Sequence, residues 1–401
     1  MNEILERYYT SDIVSNTLIS LISCKKPRLI LDLGVGDASL TKAAFLRWSN
    51  ASYIGVDVDS EKINENKLKF PFCSFLNIDA FSKGFIEKIG LGIGNVDIAI
   101  CNPPYSKSPN LSEEEIEYLI GKSNLLSFKY CKKINTEILF LMYNLSMLKT
   151  GGHLGIILPD GIFTNNSFNS LRKEILEKNT VTHVVELPEK TFSKTEAKTH
   201  ILILKKGTVA KKTNSKVTLL KLEDNGEVSK PIRILEDHLI KRMDYRFHSR
   251  TMSCKNGDSL EKIGIQIFRG RKSNKELKNC RLNHFHTTDF KKHLDNEIIF
   301  PTNTDYAGTE NRAQEGDILI ARVGKRIVGK WAFVKGGESI VSDCVFIVRV
   351  PSTKRKRLLN YLSSSNYEKD IEVLKHGVCS LLISKTDLLK LKIPKSFNYN
   401  Q

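Results

Sequence analysis

The sequence predicts an α/β fold for its first half, built around a parallel, doubly wound sheet, followed by a smaller unit of mixed α and β structure. Two observations lead to this prediction. Apolar, strand-like runs alternate with helical patterns through residue 208, and this alternation is typical of parallel sheets. Beyond residue 243 the alternation stops, and short β-like runs are separated by Gly-rich and charged turns. A chain of 401 residues is long enough for two domains.

Seven apolar runs in the first half predict strands: Arg28–Leu33, Tyr53–Val58, Cys73–Ile78, Val96–Cys101, His153–Leu158, Val181–Leu187 and Thr199–Leu204. Helical patterns lie between them at Leu40–Trp48, Asn135–Leu148 and Phe168–Lys178. The last two strands have no helix between them, so we expect them to form an antiparallel hairpin at one edge of the sheet.

Composition divides the second half into a polar linker and a domain with strand-like runs. Residues 209–242 are polar with little helical periodicity, which predicts a linker containing a short strand. Residues 243–401 contain strand-like runs at Asp317–Val323, Trp331–Val334 and Val345–Val350, and a helical pattern at Arg355–Lys375. The expected domains are therefore 1–208 and 243–401, joined by the linker 209–242.

Positive charge is concentrated in the second half. Residues 1–208 contain 25 Lys and Arg against 23 Asp and Glu, whereas residues 209–401 contain 37 against 22. This asymmetry favours a polyanion such as nucleic acid as the partner of the second half, although a merely soluble basic surface would give the same balance. The pattern of a signal peptide and apolar runs of 18 residues are both missing, so we expect a cytoplasmic protein with no membrane partner. The eight cysteines are scattered without metal-binding spacing, so no metal site is expected.

Acidic residues and glycines follow the first three predicted strands. Asp32-x-Gly34-x-Gly36 separates a strand from a helix, which is typical of loops that approach a nucleoside-containing cofactor closely. Asp57 ends the second strand, where a carboxylate can bind two ribose hydroxyls. Asp79 follows the third strand, where it could accept a hydrogen bond from the amine of an adenine, or cap the next helix.

The stretch Asn102-Pro103-Pro104-Tyr105 follows the fourth strand, and two successive prolines make it rigid. An aromatic amine is a weak nucleophile because its lone pair is conjugated with the ring. Two acceptors around its N–H bonds, the Asn102 side-chain oxygen and the Pro103 carbonyl, would free that lone pair, and the Tyr105 ring could stack on the base. Rigid placement of this kind contributes several kcal/mol to a reaction.

Asn102-Pro103-Pro104-Tyr105 after such a strand resembles the catalytic motif of S-adenosylmethionine-dependent DNA adenine-N6 methyltransferases, and the order of motifs resembles their gamma class. Leu148–Phe163 and Val184–Leu204 also resemble the modification subunits of type I restriction systems, so the resemblance covers roughly residues 7–206. It implies a Rossmann-like methyltransferase sheet, S-adenosylmethionine as cofactor, and double-stranded DNA whose target adenine is flipped out of the helix.

This resemblance assigns roles residue by residue. It implies catalysis by Asn102, Pro103, Pro104 and Tyr105, and contact of the target base with Tyr105 and Phe192. The cofactor-binding residues that it implies are Tyr9, Thr10, Asp32, Gly34, Gly36, Asp57, Val58, Asp79 and Ala80. The chain departs from the family at Ser11, where the family usually has proline.

A second resemblance covers the other half. Arg242-Met243-Asp244, the run Gly316–Gly324 and the ending after Gly377 resemble target recognition domains of type I specificity subunits. It implies an α+β recognition domain whose basic clusters contact DNA through Arg269, Arg271, Lys272, Arg322, Lys325 and Arg326. A separate restriction nuclease or specificity partner is compatible with this arrangement.

Other functions stay open at the level of sequence. The same motif would suit methylation of RNA or of a protein glutamine, and a catalytically silent DNA specificity component would keep the same domains. A nicotinamide oxidoreductase would share the cofactor loop but would have no use for Asn-Pro-Pro-Tyr. The function expected is site-specific adenine-N6 methylation of DNA within a restriction–modification system, in the cytoplasm at the nucleoid.

Overall fold

The computed structural model describes residues 10–104, 111–128, 134–188, 198–207, 215–253, 257–293, 295–301, 311–324, 326–375 and 381–394. The chain divides into two units, Met1–His248 and Ser249–Gln401. Among the described helices, none combines the length and the apolar character that crossing a bilayer requires.

The first unit is built on one sheet, which has nine strands in the described part of the chain. These are β1 (Leu29–Leu33), β2 (Ser52–Asp57), β3 (Cys73–Asn77), β4 (Val96–Cys101), β5 (Leu148–Pro159), β6 (Asn179–Glu186), β7 (Thr199–Lys206), β8 (Lys216–Lys221) and β9 (Ile232–Leu235). Their order in space is β3-β2-β1-β4-β5-β7-β6-β8-β9. Strands β1 to β5 are parallel, so their carboxyl ends share one edge, where open α/β sheets bind ligands. The α/β prediction is confirmed.

Helices cover both faces of this sheet. They are α1 (Asp12–Leu21), α2 (Ser39–Arg47), α3 (Ser60–Lys69), α4 (Phe85–Ile89), α5 (Glu113–Ser123), α6 (Thr136–Met147), α7 (Asp160–Thr164), α8 (Asn169–Lys178) and α9 (Glu236–Leu239), and α10 (Tyr245–Ser253) spans the boundary between the units. Strand β4 shows why both faces need cover. Ile98 and Ile100 lie in a core with residues of α1, α2 and α3, whereas Ala99 and Cys101 lie in a core with residues of α4, α5, α6 and α8. A strand buried on both faces gives the unbroken apolar run seen in the sequence.

The predicted hairpin forms, but it does not lie at the edge of the sheet. Strand β7 runs antiparallel to both β5 and β6, and β6 then pairs in parallel with β8, which pairs with β9. Residues 215–235, expected within a linker, therefore extend the sheet. Val217 and Leu219 of β8 are fully buried in its core, so burial of apolar side chains outweighs the polar character of the segment.

The second unit is made of short strands and short helices. Its described strands are β10 (Gly257–Ser259), β11 (Gln266–Arg269), β12 (His284–Phe285), β13 (Glu297–Ile299), β14 (Arg312–Gln314), β15 (Ile318–Ala321), β16 (Trp331–Gly336), β17 (Glu338–Val341), β18 (Val345–Arg349) and β19 (Lys392–Pro394). They form sheets of order β11-β18-β15-β16-β13, β12-β17-β14 and β10-β19. The helices are α11 (Asn274–Asn279), α12 (Ser352–Leu362), α13 (Ser365–Leu374) and α14 (Lys385–Leu389).

The single helix predicted over Arg355–Lys375 is two helices. It breaks at Ser363 and Ser364, because the Ser364 hydroxyl accepts a hydrogen bond from the Tyr367 amide (3.4 Å) and so caps the start of α13. Serine competes for backbone hydrogen bonds in this way, and it therefore favours helix starts over helix interiors.

Candidate active site and basic surface

The loop after β1 is held by hydrogen bonds from its own backbone. Gly34 and Gly36 have φ angles of +76° and +51°, which favour glycine. The Gly34 amide donates to the Val56 carbonyl (2.8 Å), and the Gly36 amide donates to Asp57 Oδ2 (2.8 Å). A Cβ built on Gly36 would meet no atom within 4 Å, so the loop leaves open space beside it.

Asp57 has a structural role that the sequence did not predict. Its second carboxylate oxygen, Oδ1, accepts a hydrogen bond from the Asp59 amide (2.9 Å), while Oδ2 holds Gly36. The Asn66 side chain adds a hydrogen bond to the Gly36 carbonyl (2.8 Å). Asp57 therefore fixes the shape of the glycine loop at the end of β2. Val58, the next residue, is 46% exposed.

The end of β3 lies beside that of β2. Asn77 was not among the predicted site residues, yet its side-chain amide donates to the Asp57 and Val58 carbonyls (3.1 and 2.9 Å) and so joins the two strand ends. Asp79 is exposed, and its Oδ1 accepts a hydrogen bond from the Phe81 amide (2.9 Å) rather than capping a described helix. The neighbouring Ala80 carbonyl accepts from the Tyr143 hydroxyl (3.0 Å).

Asp32 lies beneath the glycine loop and is only 2% exposed. Its Oδ2 accepts a hydrogen bond from the Thr41 hydroxyl (2.7 Å), whereas Oδ1 has no hydrogen-bond partner among the described residues. Burial, with a smaller contribution from the charge of Asp57, raises the pKa of Asp32 to about 7. The carboxyl group is therefore close to its midpoint of ionisation at neutral pH.

Asn102 lies directly after the fully buried strand β4. Its side chain is held by a hydrogen bond to Thr10, which precedes α1. Its Nδ2 donates to the buried hydroxyl of Thr10 (3.1 Å), 92 residues away in sequence. A Cβ built on Gly34 would lie 3.7 Å from the Asn102 carbonyl oxygen and 4.0 Å from Pro104 Cδ. The segment before α1, the glycine loop and Asn102-Pro103-Pro104 therefore meet at one point.

Ser11, where the resembled family has proline, has a clear structural use. Its φ of −65° would suit proline, and its hydroxyl accepts a hydrogen bond from the Val14 amide (3.4 Å) at the start of α1. The serine therefore caps the helix that follows Thr10. Tyr9, Tyr105 and Phe192, three of the predicted site residues, lie outside the described residues.

A buried ionic cluster that the sequence did not reveal lies at the same edge of the sheet. Lys198 Nζ lies 2.9 Å from Glu186 Oε1 and 3.5 Å from Asp160 Oδ1, and His200 Nε2 lies 2.9 Å from the same Asp160 oxygen. Burial alone would lower the pKa of Lys198, but Glu186 and Asp160 outweigh it and raise that pKa. This cluster joins the ends of β5 and β6 to the start of β7, and Arg246 adds a second ion pair to Glu186 (2.7 Å).

In the second unit, three of the predicted DNA-binding residues meet at one turn. Arg269 Nη2 lies 3.1 Å from Asp343 Oδ2, and Arg322 Nη1 donates to the Asp343 carbonyl (3.4 Å). The Asp343 amide donates to the Lys272 carbonyl (2.9 Å). Arg271 is exposed next to this group.

Of the remaining two predicted DNA-binding residues, Arg326 is the one that the structure describes. Arg326 is exposed on the turn between β15 and β16, and no described hydrogen bond or ion pair joins it to the Asp343 turn. Lys325 lies outside the described residues.

Comparison with known proteins finds a matching family model and relatives that are methylases or methyltransferases by name. Residues 5–264 match the family model described as N-6 DNA methylase. The type I restriction enzyme MpnII methylase subunit of Mycoplasma pneumoniae is 25% identical over 224 residues, which cover 50% of this chain and 40% of that protein. The type II methyltransferase M.BanIII of Aneurinibacillus aneurinilyticus is 25% identical over 205 residues, covering 45% and 34%.

Among solved structures, the methyltransferase subunit of a type I restriction-modification system from Streptococcus thermophilus has a TM-score of 0.45 and 22% identity, covering 58% of this chain and 51% of that one. The chain spans less than half the length of the two curated relatives. The family model, in contrast, matches well over half of this chain, and the chain belongs to the N-6 DNA methylase family.

Proposed function

We propose that the chain is a DNA methyltransferase of a restriction–modification system that transfers a methyl group to N6 of adenine. One observation carries the proposal. Asn102-Pro103-Pro104 lies at the carboxyl end of strand β4, and the Asn102 carbonyl oxygen and Pro104 Cδ lie within 4.0 Å of the position that a Cβ on Gly34 of the glycine loop would occupy. A group that accepts hydrogen bonds from an amine thus lies beside a loop suited to a nucleoside-containing cofactor.

Family membership implies S-adenosylmethionine as the methyl donor, and the residues present fit this group. The loop at Gly36 leaves open space, Asp79 exposes a carboxylate at the neighbouring strand end, and Val58 exposes an apolar side chain between them. When bound, the cofactor supplies an electrophilic methyl group. We assign Gly34 and Gly36 to its approach, Asp57 to the ribose hydroxyls and Asp79 to the adenine amine, with Tyr9, Thr10, Asp32 and Ala80 completing the surroundings.

The proposed role of Asn102 is to accept a hydrogen bond from one N–H of the target amine through its side-chain oxygen. The Pro103 carbonyl is proposed to accept a hydrogen bond from the other N–H. Together they would draw the nitrogen toward tetrahedral geometry, so that its lone pair can attack. The Thr10 hydroxyl accepts the hydrogen bond from Asn102 Nδ2. This contact orients the amide so that its oxygen points away from Thr10. Fixed acceptors of this kind lower a barrier because they need no reorganisation during the reaction.

A base inside a duplex is hidden, so the target adenine must be flipped out, at a cost of a few kcal/mol. We assign Tyr105 and Phe192 to stacking on the flipped base. The second unit, with 28 Lys and Arg against 16 Asp and Glu in residues 249–401, is proposed to recognise the DNA. A separate nuclease or specificity partner, and action in the cytoplasm at the nucleoid, belong to the same proposal.

Incubation with S-adenosylmethionine carrying a tritiated methyl group tests the choice of substrate. Unmethylated genomic DNA, total RNA and denatured cell protein are supplied as competing acceptors in one reaction and then separated. Label in the DNA fraction is expected. Label confined to RNA or protein would contradict the proposal and favour methylation of RNA or of a protein glutamine, and DNA binding without any label would favour a catalytically silent specificity component.

A further inference from the structure

Arg269 and Asp343 form an ion pair on the surface of the second unit. Arg269 Nη2 lies 3.1 Å from Asp343 Oδ2, and Nε donates to the Asp343 carbonyl (3.0 Å). A guanidinium has five N–H donors, so this arrangement leaves three of them, two on Nη1 and one on Nη2. The Arg269 side chain is 48% exposed, so a ligand in solution can approach it.

The backbone around this pair is fixed on both sides. A Cβ on Gly270 would lie 2.2 Å from the Ser342 carbonyl oxygen, so the chain after Arg269 passes directly against the turn that carries Asp343. The Asp343 amide donates to the Lys272 carbonyl, and the Asn311 side chain donates to the Arg269 carbonyl (2.8 Å). The direction of the guanidinium is therefore set by its surroundings, and little side-chain freedom remains to be lost on binding.

The carboxylate of Asp343 affects which group of DNA Arg269 can bind favourably. A phosphate approaching Arg269 would also approach the anionic Asp343, which offsets part of the positive charge that Arg269 and the neighbouring Arg322 present. The acceptors on a base edge are uncharged, so Asp343 does not repel them. The fork of Nη1 and Nη2 matches guanine, whose O6 and N7 are adjacent acceptors in the major groove.

Arg271, two residues away, provides the contrast. It is exposed and has no ion pair with a described carboxylate. An exposed arginine with its full charge suits phosphate contact, which positions a protein on DNA without reading sequence.

We propose that Arg269 reads a guanine in double-stranded DNA, and that Asp343 is the positioning residue that holds its guanidinium for this contact. The inference rests on the proposed function, since it requires that the second unit recognise DNA. It goes further by separating a base-reading arginine from a phosphate-binding one within the same basic cluster.

Selection of bound sequences from a library of randomised DNA duplexes, with the full-length chain, tests the inference. Arg269→Lys keeps the charge but loses the two-pronged contact, and Arg271→Lys is its matched control. The wild type is expected to enrich a motif with a G·C pair at one position. Arg269→Lys should lower the preference at that position about tenfold, with an unchanged dependence of affinity on salt, whereas Arg271→Lys should keep the whole motif.

Asp343→Asn provides a second test through the partner residue, with thermal unfolding measured for every variant. It should reduce the preference at the same base pair and raise the affinity for random duplexes, because the arginine then carries uncompensated charge. A motif that Arg269→Lys and Asp343→Asn both leave intact would overturn the inference while leaving the DNA assignment standing. A wild type that enriches no DNA motif, or that selects only from a parallel library of RNA duplexes, would overturn the proposed DNA recognition and the inference with it.

Discussion

At the scale of single residues, the contact between Thr10 and Asn102 couples the start of the chain to the proposed catalytic group. Thr10 is 7% exposed, and valine has nearly its shape but cannot accept the hydrogen bond from Asn102 Nδ2. Thr10→Val should lower the rate of methyl transfer at saturating DNA about fivefold, equivalent to about 1 kcal/mol, because the amide loses its orientation.

Thr10→Ser is the matched control, since it keeps the hydroxyl, and it should restore most of the rate. Single-turnover kinetics with both variants measures this effect. Equal rates for Thr10→Val and the wild type, or equal defects in the valine and serine variants, would show that the hydroxyl does not orient Asn102.

Asp32 predicts a pH dependence of stability. Burial raises its pKa to about 7 in the folded state, above the ordinary value of 3.8. The unfolded chain therefore releases this proton first as the pH rises, and the folded state loses stability between these two values. Asp32→Asn keeps an acceptor for Thr41 but cannot ionise.

The free energy of unfolding of the wild type, relative to Asp32→Asn, should fall by about 1.4 kcal/mol per pH unit between roughly pH 4 and 7 and level off above. Denaturant unfolding of both proteins at several pH values measures the difference, in which the other titrating groups largely cancel. A difference that stays constant over this range would mean that Asp32 ionises as it does in the unfolded chain.

At the scale of elements, Gly270 predicts a packing effect in the second unit. An added methyl group would lie 2.2 Å from the Ser342 carbonyl oxygen, so β11 and the turn before β18 would have to separate. Gly270→Ala should destabilise this unit by about 1–3 kcal/mol. Gly336→Ala is the control, because its Cβ would meet only Ile299 at an ordinary 3.9 Å.

Hydrogen exchange of the backbone amides of β11 and β18 is the suitable measurement, because it reports on this unit alone. Faster exchange in Gly270→Ala than in Gly336→Ala is expected. Equal protection in the two variants would be inconsistent with the close approach of the two backbones.

Strands β1 to β7 and helices α2, α6 and α8 of the first unit could be predicted because apolar periodicity is a local property. Strand β4 was predicted with its bounds Val96–Cys101, and Asn102 could be placed at its end from the two prolines alone. Pairing partners are set by contacts far apart in sequence. The place of β8 and β9 at the sheet edge, and the hydrogen bond from Asn102 to Thr10, were therefore beyond the reach of periodicity.

The buried cluster around Asp160 was missed for a related reason. In the sequence, a lysine before an apolar strand and a histidine within it look alike whether they face a carboxylate or solvent. Only the sheet register brings Lys198 and His200 to Asp160. For the basic surface, the sequence predicted the arginines but gave no sign that Asp343 would lie between Arg269 and Arg322.

At the scale of the whole molecule, the unequal charge of the two halves predicts how DNA affinity responds to salt. Each phosphate contact contributes about 0.9 to the slope of log affinity against log salt concentration. Replacing both Lys325 and Arg326 by alanine should therefore reduce the magnitude of this slope by up to about 1.8.

Lys25→Ala with Lys26→Ala provides the charge-matched control, because these exposed lysines precede β1 and so lie away from its carboxyl end. Fluorescence anisotropy with a labelled duplex over a range of salt concentrations measures both slopes. An unchanged slope in the Lys325 and Arg326 variant, or an equal change in the control, would argue against a localised DNA surface.

The central claim is that the Asn102 site methylates N6 of adenine in DNA. The most direct test is mass spectrometry of nucleosides from DNA treated with S-adenosylmethionine and either the wild type, Asn102→Ala or the control Asn50→Ala, in which an exposed asparagine outside the site is replaced. We predict N6-methyladenine with the wild type and with Asn50→Ala, and none with Asn102→Ala although that variant still binds DNA. Methylated cytosine in place of N6-methyladenine, or full activity of Asn102→Ala, would contradict the account.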